Sequence, residues 1–165
     1  MDVKSLIAVL MVSCGGICLS VSPGSADDGR CRHIGGGILT NFLQKADCGS
    51  SPLGLCTDGP ATGDLRGAVG VAVLSVAGNV LRNHHHWVTE SGDTIFFQDA
   101  DLTLLSTSIS GLFAGDYLSG IYITGGTGGF DGATGKISAF GAVDENKGEL
   151  TLRYEGTVCL RPVSG

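Results

Sequence analysis

The sequence predicts an all-β domain, an antiparallel sandwich or barrel of seven or eight strands. Three observations carry this. Short β-prone runs recur at near-regular spacing, with turn residues between them. Helical periodicity is hard to find after residue 26. The segment Gly125-Gly-Thr-Gly-Gly-Phe-Asp-Gly-Ala-Thr-Gly135 places six glycines in eleven residues between two strand-like runs. Glycine weakens helices and strands alike, so such density fits a sharply bent hairpin in which backbone passes close to backbone.

Residues 1–26 read as a secretory signal. Lys4 supplies the positive start, Leu6 to Leu19 a short apolar stretch, and Gly24-Ser25-Ala26 the small residues before a cut ahead of Asp27. The stretch is too short and too interrupted by glycine to read as a membrane span. A lipoprotein acylated at Cys14 fits less well, because the apolar run continues past Cys14 and Met11 sits poorly at the start of such a box. A buried N-terminal helix is the third reading. Residues 27–165 then form one domain, destined for a secreted or periplasmic location.

Cys31, Cys48, Cys56 and Cys159 lie in that domain. An even count in an exported chain implies two disulfides, with three pairings open. The spacing favours Cys48–Cys56, closing the loop Gly49 to Leu55, and leaves Cys31–Cys159 to tie the ends together. A zinc site competes, but there is no Cys-x-x-Cys pair. The net charge of −6, with no basic cluster, argues against nucleic acid.

The runs read as strands are Ile34 to Leu43, Asp64 to Ala77, Val80 to Thr89, Thr94 to Ser106, Asp116 to Thr124, Lys136 to Val143 and Glu149 to Leu160. Turns are marked by Gly78-Asn79, Ser91-Gly92-Asp93, Gly115-Asp116 and the five residues Asp144 to Gly148. Alternation sets faces. In the last strand Leu150, Leu152, Tyr154, Gly156 and Val158 point inward and Cys159 outward. Val69, Val71 and Val73 share a face, with the small Ala68, Gly70 and Ala72 opposite.

The glycine segment is similar to the Gly-Gly-x-Gly-x-Phe-x-Gly-Ala-x-Gly signature of the allene oxide cyclase and dirigent families. Thr62-Gly-Asp-Leu65, Gly92-Asp93 and Tyr154-Glu-Gly156 resemble further segments in the same order, so the resemblance spans roughly residues 34–160. It implies a calycin-like, eight-stranded antiparallel β-barrel around an apolar ligand cavity. It implies no single reaction, since the grouping holds isomerases, cyclases and stereochemical guides. One departure bears on chemistry. The plant cyclases carry an acid and an asparagine together in the first strand, whereas His33 to Leu43 offers only Asn41 and His33. The oxylipin reaction is therefore not carried over.

The polar residues suggest chemistry at several points. In His84-His85-His86-Trp87, the first and third imidazoles share a strand face. They could supply a general base, or ligate a metal with Asp99 or Asp101 as third ligand; a solvated strand face is the plainer reading. Asp99 and Asp101 are placed on one face with Ile95 and Phe97, where burial would raise a carboxyl pKa toward proton transfer. Tyr122 and Tyr154 could donate to a carbonyl or enolate, and Arg66 could hold a carboxylate. The catalytic candidates are thus Asp99, His84, His86 and Tyr122. The ligand-binding candidates are Tyr154, Arg66 and Asp101. Neither a P-loop nor a Gly-x-Ser-x-Gly elbow is present. The expectation is an isomerase or cyclase working without cofactor or metal on a small apolar molecule held in the barrel. A noncatalytic binding barrel and a structural barrel filled by side chains are the alternatives. A homo-oligomer is compatible with all three.

Overall fold

The computed structural model describes residues 31–161. The signal-like segment 1–26, with Cys14 and Cys18, lies outside the described residues.

Ten strands form one antiparallel sheet: β1 (Cys31–Phe42), β2 (Cys56–Ala61), β3 (Gly67–Ala77), β4 (Val80–Thr89), β5 (Thr94–Phe97), β6 (Ala100–Ser106), β7 (Leu112–Asp116), β8 (Ile121–Gly126), β9 (Thr134–Asp144) and β10 (Glu149–Cys159). β5 and β6 both pair with β4, and β7 and β8 both pair with β9, so each couple is one broken stave. β10 pairs with β9 on one side and with β1 on the other. The sheet thereby closes into an eight-staved antiparallel barrel. Closure removes the free edges that an open sheet would expose.

The predicted alternation sets the core. Leu150, Leu152, Tyr154 and Val158 are buried inside the barrel, and Val69 and Val73 face them from β3. Ala72, on the outer face, is buried by a satellite cluster with Cys48 and Cys56. Both disulfides form in the pairing that the spacing favoured, Cys31–Cys159 and Cys48–Cys56. The first joins residues already opposed in the β1–β10 ladder.

Three sequence expectations are corrected. The run Thr94 to Ser106 is two strands, because Gln98 and Asp99 break it. Ile95 and Phe97 point inward before the break, and Ala100 and Leu102 after it, so the phase flips by one residue. Asp99 and Asp101 therefore lie outside, not among the apolar residues. Gly115-Asp116 is the end of β7, and the turn comes after it, up to Gly120, whose N–H donates to the Tyr117 carbonyl at 2.8 Å. β2 and β7 themselves went unpredicted. Gly59 and Pro60 make β2 read as a turn, yet it fits between β1 and β3; a Cβ at Gly59 would collide with the Leu39 carbonyl oxygen.

The ends of the barrel differ. At one end the glycine segment leaves β8, makes a 3-10 turn at Gly128–Phe130 and enters β9. Two glycines explain its composition. A Cβ at Gly126 would collide with the Thr94 carbonyl oxygen, and Gly128 has φ of 53° with its α-carbon against the Asp93 carboxylate. The segment carries Phe130 and Ala133 into the core, where with Leu65 they plug that end. The other end, ringed by the ends of β1, β3, β6 and β9 and the starts of β2, β4 and β10, is open.

Candidate functional site

The interior has two parts. Deep inside, Ile38, Val69, Trp87, Ile137, Leu152 and Tyr154 close around a cavity of about 20 Å³, the size of one water. Toward the open end, a pocket of about 210 Å³ forms the mouth. Its walls are Phe42, Leu43, Leu55, Val73, Leu81, Leu102, Leu104 and Val143; Val71, Tyr117 and Leu150 are shared with the deep cavity. For scale, a dry apolar cavity of about 150 Å³ admits benzene.

The polar atoms of the mouth come from β4 and from the segment after β7. Asn83, His85 and Trp87 alternate inward along β4, so all three are buried. Asn83 Nδ2 donates to the Tyr117 hydroxyl at 3.0 Å, and His85 Nε2 lies 2.9 Å from the same oxygen. With Asn83 donating, the Tyr117 proton goes to His85 Nε2, which fixes the imidazole with its own proton on Nδ1. Burial drives the His85 pKa down to about 4; the nearby His84 adds to the fall and Asp99 opposes it. Burial drives Tyr117 up, partly offset by the Asn83 hydrogen bond. Both groups are therefore neutral across the physiological range. Asn83 and Thr57 line the mouth, and the Asn83 Oδ1 and Thr57 hydroxyl, both buried, have no hydrogen-bond partner, nor has His85 Nδ1.

The predicted site residues are distributed otherwise. His84 and His86 point out, as strand parity requires once Trp87 points in. His84 Nδ1 meets Asp99 Oδ1 at 2.8 Å. Both imidazoles line an outer groove of about 300 Å³ floored by Gly70 and Ala72, with Asp47, Ser50 and Asp58 on its far side. Among the described residues, no three His, Cys, Asp or Glu side chains converge as metal ligands. Asp101 pairs with Arg82 at 3.2 Å on the surface. Tyr122 is an outer-face residue beneath the Lys136 ammonium, 5.1 Å from the ring centre. Arg66 meets Glu90 at 3.8 Å, both exposed.

Of the named candidates Tyr154 alone faces inward. Its hydroxyl accepts from Leu65 N–H and donates to the Thr62 carbonyl, each at 2.9 Å, so it ties the plug to β10. Trp87 Nε1 donates to the Leu65 carbonyl at 2.9 Å on the same plug. The structure thus brings together His84 with Asp99, but not with Tyr122, Tyr154 or Arg66. Asn83, His85, Tyr117 and Thr57 were missed. The signal for two of them was present, because an inward Trp87 forces His85 and Asn83 inward at two-residue steps.

A closed eight-stranded antiparallel barrel, plugged at one end and open to an apolar mouth at the other, is the class that fold and site define, and its fold resembles that of a dirigent protein. Its architecture is similar to the solved structure of a pterocarpan synthase dirigent protein, at 16% sequence identity and a TM-score of 0.53, covering 82% of this chain and 87% of that one. No family model and no curated protein matches the sequence. Among the described residues, no helix is long and apolar enough to cross a membrane.

Proposed function

We propose that this chain is an exported barrel that binds one small apolar molecule in its mouth and leaves it chemically unchanged. The observation that carries this is the open apolar pocket of about 210 Å³ floored by Asn83 and Tyr117. Ligand sites are concave and mostly apolar, with a few placed polar groups. The buried titratable pair there is held neutral from both sides, which suits holding a ligand better than moving its protons. Export is supported by the two disulfides, which belong to oxidising compartments, and by the signal-like first 26 residues.

The test is calorimetric titration of the oxidised full-length chain with 1-octanol, beside Leu81→Trp, which fills the mouth from β4. Binding that disappears in the folded variant supports the reading. Binding unchanged by it, or none to the parent chain, overturns the reading.

The isomerase or cyclase reading is favoured by the allene oxide cyclase side of the sequence resemblance and by the Tyr117–His85 contact beside the pocket. Shape alone would then hold a reactive substrate folded, with orientation and water exclusion supplying the rate. Asp99, His84, His86 and Tyr122, on the outer face, would not touch it. A parent chain that converts a bound substrate, and a Tyr117→Phe variant that binds it but turns it over more slowly, would support this reading with Tyr117 adding to shape; binding with no conversion by the parent chain overturns it.

A further inference from the structure

Resting on the binding reading above, one atom narrows the class of ligand. Asn83 lines the mouth and is 1% exposed; its Nδ2 is committed to Tyr117, and its Oδ1 is buried beneath the pocket wall with no partner. A buried acceptor left unpaired costs far more than a hydrogen bond gains, so the occupant that relieves it brings a donor. The pocket wall includes no Lys, Arg or His, and its one charged residue is Glu145 at the rim. A carboxylate entering there would meet an acceptor at the floor and a like charge at the entrance, with no cation for either. The Thr57 hydroxyl, also unpartnered, can give or accept a proton and adds no preference between the two.

We infer that the mouth selects an uncharged apolar molecule carrying one hydrogen-bond donor, such as an alcohol or a primary amide, which donates to Asn83 Oδ1, and that it rejects carboxylates. The pocket holds about ten non-hydrogen atoms of that molecule, on the scale of an eight-carbon chain or one substituted ring.

Three probes decide it by calorimetry at neutral pH: 1-octanol, its isomer heptyl methyl ether, and octanoate. The ether has the same atoms but no donor. The expected result is that octanol binds roughly tenfold tighter than either. Asn83→Leu should bring octanol and the ether within about threefold of each other, since the orphan acceptor is gone. Equal binding of alcohol and ether by the parent chain overturns the donor inference while leaving the pocket reading intact. Octanoate binding as tightly as octanol overturns the exclusion of anions. Failure of all three to bind removes the pocket reading and the inference with it. The parent-chain comparison stands even if Asn83→Leu does not fold.

Discussion

Acid should loosen this barrel through His85. The imidazole is buried against Tyr117 and Phe97, with ring centres 5.2 Å from Tyr117 and 6.1 Å from Phe97. Its pKa falls from 6.5 to about 4 on folding. Burial is the main cause; His84 adds to the fall and Asp99 opposes it. The direction follows from proton counting. Above pH 6.5 neither folded nor unfolded chain holds a proton here, and the site costs nothing. Between 6.5 and 4 the unfolded chain takes the proton and the folded one does not, so stability falls with pH, by about 1.4 kcal/mol per unit. From pH 7.5 to 4.5 the loss attributable to this residue is about 2.5 kcal/mol. Urea unfolding of the parent chain and of His85→Leu at both pH values isolates it. Carboxylates titrate in both proteins and cancel, and the lost Tyr117 contact is a constant offset. The stability gap between the two proteins should shift by about 2.5 kcal/mol in favour of His85→Leu at the lower pH. A shift under about 0.5 kcal/mol would refute the neutral, buried imidazole.

Three further outcomes are expected. Tyr154→Phe leaves Leu65 N–H and the Thr62 carbonyl without their side-chain partner and should cost about 1–3 kcal/mol in urea unfolding, with octanol binding at the far end unchanged. Removing Cys31–Cys159, at a separation of 128 residues, should destabilise by about 5 kcal/mol on the loop-entropy scale, against about 2.5 kcal/mol for Cys48–Cys56 at a separation of 8; equal losses would argue against the entropic account. Asp99→Asn breaks only an exposed pair and should change stability by less than about 1 kcal/mol. It should also leave the octanol affinity untouched, so weaker binding would return Asp99 to the site.

Most of the barrel was legible where strands are long and amphipathic. β10 shows its inner face in Leu150, Leu152, Tyr154 and Val158, and the turn at Asp144 to Gly148 is marked by Asp144, whose carboxylate caps Asn146 and Lys147 N–H. Legibility ended where geometry depends on the partner strand. Gly59-Pro60 becomes strand because β1 and β3 bracket it, which no local pattern reveals. The break at Gln98-Asp99 inverts the faces of the rest of that run, β6, so one unread irregularity moved both aspartates from inside to outside. The site suffered most, because three adjacent histidines drew chemical interest to the outward pair. The middle one, beside Asn83 and inward of it in register with Trp87, is where the polar floor lies. Tyr117 fell inside the run read as one strand, Asp116 to Thr124, but it lies in the connection between β7 and β8, where strand alternation does not set its direction.

The seam between β1 and β10 has a consequence for how the chain is made. Its ladder runs from Cys31 opposite Cys159 to Asn41 opposite Glu149, so the two edges that close the barrel are the most distant strands in the sequence. Closure joins contacts with the largest chain separation, the kind that slows folding. Nor can it begin during synthesis until β10 has emerged. Up to then β1 and β9 each present an unpaired edge, open to pairing with other chains. Oxidation of Cys31 with Cys159 then locks the seam once the two strands have met, so a closed barrel that opens keeps its two edge strands tethered.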